Sequence, residues 1–119
     1  MLLAAIINAE CAQCDFEEQR LVGSVVLNRL NHPNYPKTLE GVIFQINQFH
    51  GICNNQFKYT SKTLIIAADL IFNPPEEKIL YFWLKNSKKQ RWRNNIKILI
   101  TKKYHVFGDE RNKNKFRSR

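Results

Sequence analysis

Two prolines at 74 and 75, preceded by Asn73, split this chain into two kinds of periodicity. Proline lacks the N–H a helix needs and disfavours helical backbone at the residue before it, so no helix runs through Asn73-Pro74-Pro75. Upstream, apolar residues recur at three- and four-residue spacing. Downstream, ILYFWL (79–84) and IKILIT (96–101) are dense in β-branched and aromatic residues, which suit a pleated sheet. Helices first and strands later specify an α+β domain, with a cleft expected where the two parts meet.

Residues 2–10 (LLAAIINAE) read as a short amphipathic helix with Leu2, Leu3, Ile6 and Ile7 on one side and Glu10 at a loop edge. Asp15 followed three residues later by Glu18 makes a capping-box-like start to a second helix. Its stripe is Val22, Val25, Val26 and Leu30, and Asn31-His32-Pro33 stops it. Thr38 is the expected cap of a third helix with Leu39, Val42, Ile43 and Ile46 inward. Ser61 is the expected cap of a fourth with Leu64, Ile65, Ala68 and Phe72 inward. Residues 47–59 read as a polar loop, and 79–84 is expected to pair with 96–101 as a small antiparallel β hairpin.

A chain of 119 residues suffices for one core and not for two domains. No apolar run approaches the roughly 18 residues that span a bilayer, so no transmembrane segment is expected. MLLAAIINAEC lacks the basic start and the longer apolar run of a signal peptide, which points to synthesis in a cytoplasm. Three cysteines cannot complete a disulfide framework, and reduced thiols are expected. Cys11-x-x-Cys14 and His50-x-x-Cys53 also have zinc-like spacing, so a structural zinc on Cys11, Cys14, His50 and Cys53 stands as the alternative to three ordinary thiols; otherwise no cofactor is expected.

The net charge of +9 is unevenly placed. Residues 1–84 hold six Lys/Arg against eight Asp/Glu, or −2, and residues 85–119 hold thirteen against two, or +11. Such a segment attracts polyanions, whether nucleic acid, anionic cell-wall polymers or an acidic membrane surface. The bland alternative is a solvated face followed by a frayed tail, RNKNKFRSR.

Gly-rich phosphate loops, HExxH, DxDxDG and GxSxG are absent. What remains is Glu10, at the end of an apolar helix where low polarity favours the protonated form a general acid needs. Position alone equally allows a solvated or salt-bridged glutamate.

The ordered motifs say more. Ala9-Glu10, Glu17-Glu18-Gln19, Val26-Leu27-Asn28-Arg29 and Tyr35-Pro36-Lys37-Thr38-Leu39-Glu40-Gly41-Val42-Ile43 are followed by Leu80-Tyr81-Phe82, Trp92 and His105-Val106-Phe107. In order and spacing this resembles the catalytic domain of the spore cortex-lytic, SleB-type cell wall hydrolases, over about residues 3–107. The resemblance implies a lysozyme-like α+β domain at 1–108 with a basic tail at 109–119. It implies cleavage of peptidoglycan glycan strands between N-acetylmuramic acid and N-acetylglucosamine, with Glu10 at the family's catalytic glutamate and no metal. A lytic transglycosylase manages with one acid, whereas a hydrolytic muramidase needs a partner carboxylate, for which Asp15, Glu17 and Glu18 are nearest in sequence.

Glu17 matches a family glutamate and is a substrate-binding candidate, although holding the loop and helix start is its favoured role. Gln48 and Phe49 fall where the family's cleft loop begins, and Tyr81 and Trp83 offer stacking faces, with core packing the alternative for each aromatic and favoured for Phe82. His105 is expected to make a structural hydrogen bond. The chain departs from the family at Cys14, where a second glutamate is common, and at Leu84-Lys85, where an Asn-Pro is common.

The expected partners are peptidoglycan glycan strands and, through residues 85–119, anionic wall polymers, with no specific nucleic-acid target and a monomeric state. Small size and a Lys/Asn/Ile-rich composition fit a phage lysis enzyme that reaches the wall after release. The alternatives are an inactive peptidoglycan-binding module and a basic nucleic-acid binder; against the latter, the basic segment carries no zinc-finger, RNP-type or heptad pattern.

Overall fold

The computed structural model describes residues 1–46 and 58–111. Four α-helices come first: α1 (Leu2–Cys11), α2 (Phe16–Leu30), α3 (Leu39–Ile46) and α4 (Ser61–Phe72). A sheet follows, made of β1 (Tyr81–Leu84), β2 (Ile96–Thr101) and β3 (His105–Glu110), with a 3-10 turn over Arg91–Asn95 leading into β2. The α+β class and the order of helices before strands expected from the sequence are those observed. No helix among the described residues is long and apolar enough to cross a membrane.

α1 is not amphipathic in its surroundings. Leu3, Ala4, Ala5, Ile6 and Ile7 are all buried in succession, which happens only when a helix is covered on every side. α2, α3 and α4 supply that cover through Val26, Val42, Ile43, Ile66, Ala67 and Leu70. The two small alanines let the neighbouring helices approach its axis.

The starts of α2, α3 and α4 each have a visible cause. Asp15 caps α2 by accepting the Glu18 backbone N–H at 2.8 Å, and Thr38 Oγ1 accepts the Gly41 N–H at the start of α3. α4 is capped by Thr60, one residue before the expected Ser61, because Thr60 and Thr63 form a reciprocal box with each accepting the other's backbone N–H. Thr63, Ile66, Ala67 and Leu70 face the core, while the expected inward residues Leu64, Ile65 and Phe72 are exposed and Ala68 is half-buried. The helix is apolar on most of its circumference, so spacing alone could not select the buried side.

The sheet order is β1-β3-β2, antiparallel throughout. Residues 79–84 and 96–101 therefore do not pair with each other, as the sequence reading expected. The local hairpin is β2–β3, closed by the short turn at 102–104, and β1 takes β3's other edge, with Phe82 opposite Phe107 and Leu84 opposite His105. A short connection makes β2–β3 the cheaper pairing. Gly108 in the central strand has no room for a side chain: a Cβ there would sit 2.4 Å from the Lys97 carbonyl oxygen. β3 continues past residue 108 to Glu110, and the Arg111 N–H donates to the Asn95 carbonyl at 2.9 Å.

One sheet face packs on the helices. Phe107 is fully buried among Cys11, Cys14, Leu21, Val22, Val25 and Ile79, with Phe82, Ile100 and Tyr104 at the margin. The end of α2 holds the approach to β1: Asn28 Nδ2 donates to the Glu77 and Ile79 carbonyls and Arg29 Nε to that of Leu80. The Asn28-Arg29 pair thus has a structural task, tying the helical layer to the sheet.

Candidate active site

Glu10, the candidate acid, is the penultimate residue of α1 and is half-buried. The chain immediately after it is fixed in several ways. Cys11 and Cys14 form a disulfide with Cα atoms 5.2 Å apart, which corrects the expectation of reduced thiols: the turn in which the Cys14 N–H donates to the Cys11 carbonyl at 3.0 Å brings the two side chains together. The last carbonyls of a helix lack partners within it. Here Gln19 Nε2 donates to the Cys11 carbonyl and Lys62 Nζ to that of Cys14, both at 2.9 Å. Glu10 therefore stands on a rigid helix end rather than on a loose loop.

Beneath the disulfide lies a pair that the sequence reading did not foresee. The side chains of Glu18 and His105 are each 1% exposed. His105 Nδ1 donates to Glu18 Oε2 at 2.7 Å, and the Tyr104 backbone N–H donates to the same oxygen at 3.1 Å. A buried carboxylate persists only with its hydrogen bonds made, and these two fasten the β2–β3 turn to the first turn of α2. The capping box expected at Asp15 is accordingly half made: Asp15 caps, and Glu18 turns inward instead of back. A signal existed, since Glu18 lies four residues before Val22 and seven before Val25, on the apolar stripe. His105 makes the structural bond expected of it, and Phe82 and Phe107 flank its ring at 5.7 and 6.0 Å between centroids.

The other carboxylates near Glu10 in sequence are also occupied. Asp15 serves as the α2 cap. Glu17 faces solvent and pairs with Lys102 Nζ at 2.5 Å.

The aromatic candidates fall on the sheet face turned away from Phe82 and Phe107. Tyr81 lies beside the Arg29 guanidinium (5.4 Å) and the Trp92 ring (6.0 Å). Burial and a hydrogen bond with Tyr35 push its hydroxyl well above the usual tyrosine range. Trp83 is covered by the Arg93 guanidinium at 5.1 Å and meets the Trp92 ring edge-on at 5.8 Å. An open groove of about 450 Å³ runs along this side, lined by Trp83, Lys85, Lys89, Arg93 and Arg111 among others. Gln48, Phe49, His50 and Cys53 lie outside the described residues, as does 112–119 of the tail.

The comparisons with known proteins agree with this architecture. The model of the Cell Wall Hydrolase family matches residues 14–108. The spore cortex-lytic enzyme of Bacillus subtilis (strain 168) is 32% identical over 85 residues, covering 68% of this chain and 28% of that protein; the chain thus corresponds to less than a third of the relative's length. The fold matches the catalytic domain of the Bacillus cereus SleB protein with a TM-score of 0.80 at 22% identity, over 91% of this chain and 87% of that one. It matches the catalytic domain of the germination-specific lytic transglycosylase SleB from Bacillus anthracis with a TM-score of 0.79 at 20% identity, over 91% of each. With the family model covering most of the chain and the fold shared with these catalytic domains, the protein belongs to the cell wall hydrolase family.

Proposed function

We propose that this chain cleaves peptidoglycan glycan strands between N-acetylmuramic acid and N-acetylglucosamine, as a lytic transglycosylase with Glu10 as its one acid–base group. The observation that carries the reading is the state of the neighbouring carboxylates: Asp15 caps a helix, Glu17 pairs with Lys102 and Glu18 is sealed beneath the disulfide. Each of the three already has a structural partner, which supports a route that needs no second carboxylate as nucleophile or water-activating base. Glu10 alone suffices for the intramolecular route. Its proton goes to the glycosidic oxygen as that bond breaks, the muramic acid C6 hydroxyl attacks the anomeric carbon, and the Glu10 carboxylate takes up the hydroxyl proton. The product is a 1,6-anhydro sugar and the acid is regenerated, so no cofactor takes part.

Gln48, Phe49, Tyr81, Trp83 and Glu17 are the proposed contacts to the glycan. The basic groove along Lys85, Lys89, Arg93 and Arg111, with the rest of 85–119, is the proposed attachment to anionic wall polymers. The protein acts as a monomer, is made in the cytoplasm and reaches the wall on release, as a phage lysis enzyme would. Loss of turbidity of purified sacculi tests the reading: Glu10→Gln removes the proton and is expected to abolish clearing while the protein still sediments with the sacculi. Clearing by Glu10→Gln at the wild-type rate would place the chemistry elsewhere, and binding without clearing by the wild type would favour an inactive wall-binding module.

A further inference from the structure

The disulfide and the buried pair together form a four-ligand cluster. Cys11 Sγ, Cys14 Sγ, a Glu18 carboxylate oxygen and His105 Nδ1 all lie within 4.8 Å of one another, and all four residues are buried. They come from the end of α1, the following loop, the first turn of α2 and the start of β3, so the fold and not local sequence brings them together. We propose that the reduced chain binds one zinc ion through these four atoms, and that holding the metal and closing the Cys11–Cys14 disulfide are mutually exclusive.

The ligand chemistry points to zinc. Two sulfurs, one imidazole nitrogen and one carboxylate oxygen are a set that a tetrahedral, borderline-soft cation accepts. With Zn–S near 2.3 Å and Zn–N near 2.0 Å, tetrahedral angles put sulfur and nitrogen about 3.6 Å apart. Both cysteine sulfurs already stand 3.8 Å from His105 Nδ1. The Glu18 oxygen, now 2.7 Å from that nitrogen, needs to retreat by roughly half an ångström, since tetrahedral N and O ligands lie about 3.3 Å apart. The carboxylate keeps an anchor when it moves, because the Tyr104 N–H reaches both of its oxygens, at 3.1 and 3.4 Å.

The imidazole has to change tautomer. Nδ1 must give up its proton to become a ligand, and Nε2 is buried with no hydrogen-bond partner among the described residues. The change of tautomer puts that proton on Nε2, and burying it there without an acceptor is a cost that the metal–nitrogen bond must exceed.

The proton and electron balance defines the switch. A dithiol reductant transfers two electrons and two protons to the Cys11–Cys14 bond, leaving two thiols and its own disulfide. Zinc then binds as the two thiols lose their protons, so about two protons appear in solution per metal ion. Two thiolates and a carboxylate crowded into a buried site are tolerable only with a cation among them, and the Lys62 ammonium on the Cys14 carbonyl adds a second positive charge nearby. A small-molecule disulfide oxidant reverses the process by restoring the Cys11–Cys14 bond and expelling the metal. In either state the residue after Glu10 is held by a cross-link, so the end of α1 stays fixed.

The test is metal loading of the full chain. Protein reduced with a phosphine and held without oxygen is dialysed against zinc or cobalt alone, then measured by elemental analysis, cobalt absorption and proton release. The proposal expects about one equivalent in the reduced chain, thiolate-to-cobalt charge transfer with tetrahedral d–d bands, and no retained metal in the oxidised chain. Affinity should fall at least roughly tenfold in Cys14→Ala and in His105→Ala; the former keeps the test valid where the latter does not fold. His50→Ala/Cys53→Ser should load like wild type. Less than about half an equivalent in reduced wild-type protein would overturn the proposal. So would equal loading of the oxidised chain, or loss of metal in His50→Ala/Cys53→Ser with retention in Cys14→Ala.

Discussion

Replacing Glu18 tests the clamp that positions the site. In oxidised, metal-free protein the carboxylate accepts from the His105 imidazole and from the Tyr104 backbone, with both side chains of the pair 1% exposed. Glu18→Ala leaves two buried donors without acceptors. At about 1–3 kcal/mol for each stranded group, and with a buried pair broken from one side costing about 3–5 kcal/mol, the expected loss is about 3–5 kcal/mol. A domain of ordinary stability has about 5–15 kcal/mol in all. Glu18→Gln should cost less: its amide oxygen can still take the Tyr104 N–H, while its NH₂ can donate to Nδ1 only if the His105 proton moves to Nε2, which has no acceptor among the described residues. With one stranded donor in place of two, the expected cost is about 1–3 kcal/mol. Urea unfolding of the three oxidised proteins, compared by midpoint at constant slope, measures both. A Glu18→Ala cost under about 1 kcal/mol would show that the pair does not hold the turn to α2. Equal costs for Ala and Gln would show that the charge, not the hydrogen bonding, is what matters.

The remaining predictions concern packing, phase and charge. Gly23→Ala puts a methyl 2.4 Å from Leu70 Cδ1 and 3.0 Å from Ile7 Cδ1 where α2 meets α1 and α4; thermal unfolding should show a loss of about 1–3 kcal/mol, and no shift would mean these helices re-space freely. Ile66→Ala should cost about 2–5 kcal/mol and its exposed neighbour Ile65→Ala about 0.5 kcal/mol or less; the reverse order would give α4 the wrong buried face. Thr60→Ala should cost about 1 kcal/mol by removing the α4 cap, with Ser61→Ala near neutral. Cosedimentation with sacculi should weaken from low salt to about 0.5 M, and binding indifferent to salt would sink the electrostatic account of residues 85–119.

The sequence was most legible where local chemistry decides the outcome. Asp15, Thr38 and the prolines delimit helices through caps and missing donors, effects confined to a few residues, and the observed helices follow them. The placement of Glu10 at a helix end was readable for the same reason. Decisions taken at a distance were not. The buried side of α4 depends on what α1 and α2 present to it, and an apolar helix gives no preference. The pairing of β3 between β1 and β2 depends on a turn whose strand, HVFGDE, includes a glycine and two acids that weaken its β signature. Glu18 and His105 are 87 residues apart; only the fold shows that an acid on an apolar stripe and a histidine in the last strand answer one another. The Cys11-x-x-Cys14 spacing permits a disulfide or a metal, and only the arrival of Glu18 and His105 shows how both could use it.

The central claim is that Glu10 alone, acting as acid and then base, cleaves the glycan strand. Mass spectrometry of the soluble fragments released from bacterial sacculi, wild type beside Glu10→Gln, tests it most directly. The account predicts 1,6-anhydro-muramic ends from the wild type and no fragments from Glu10→Gln. Reducing muramic ends from the wild type, or anhydro ends from Glu10→Gln, would contradict it.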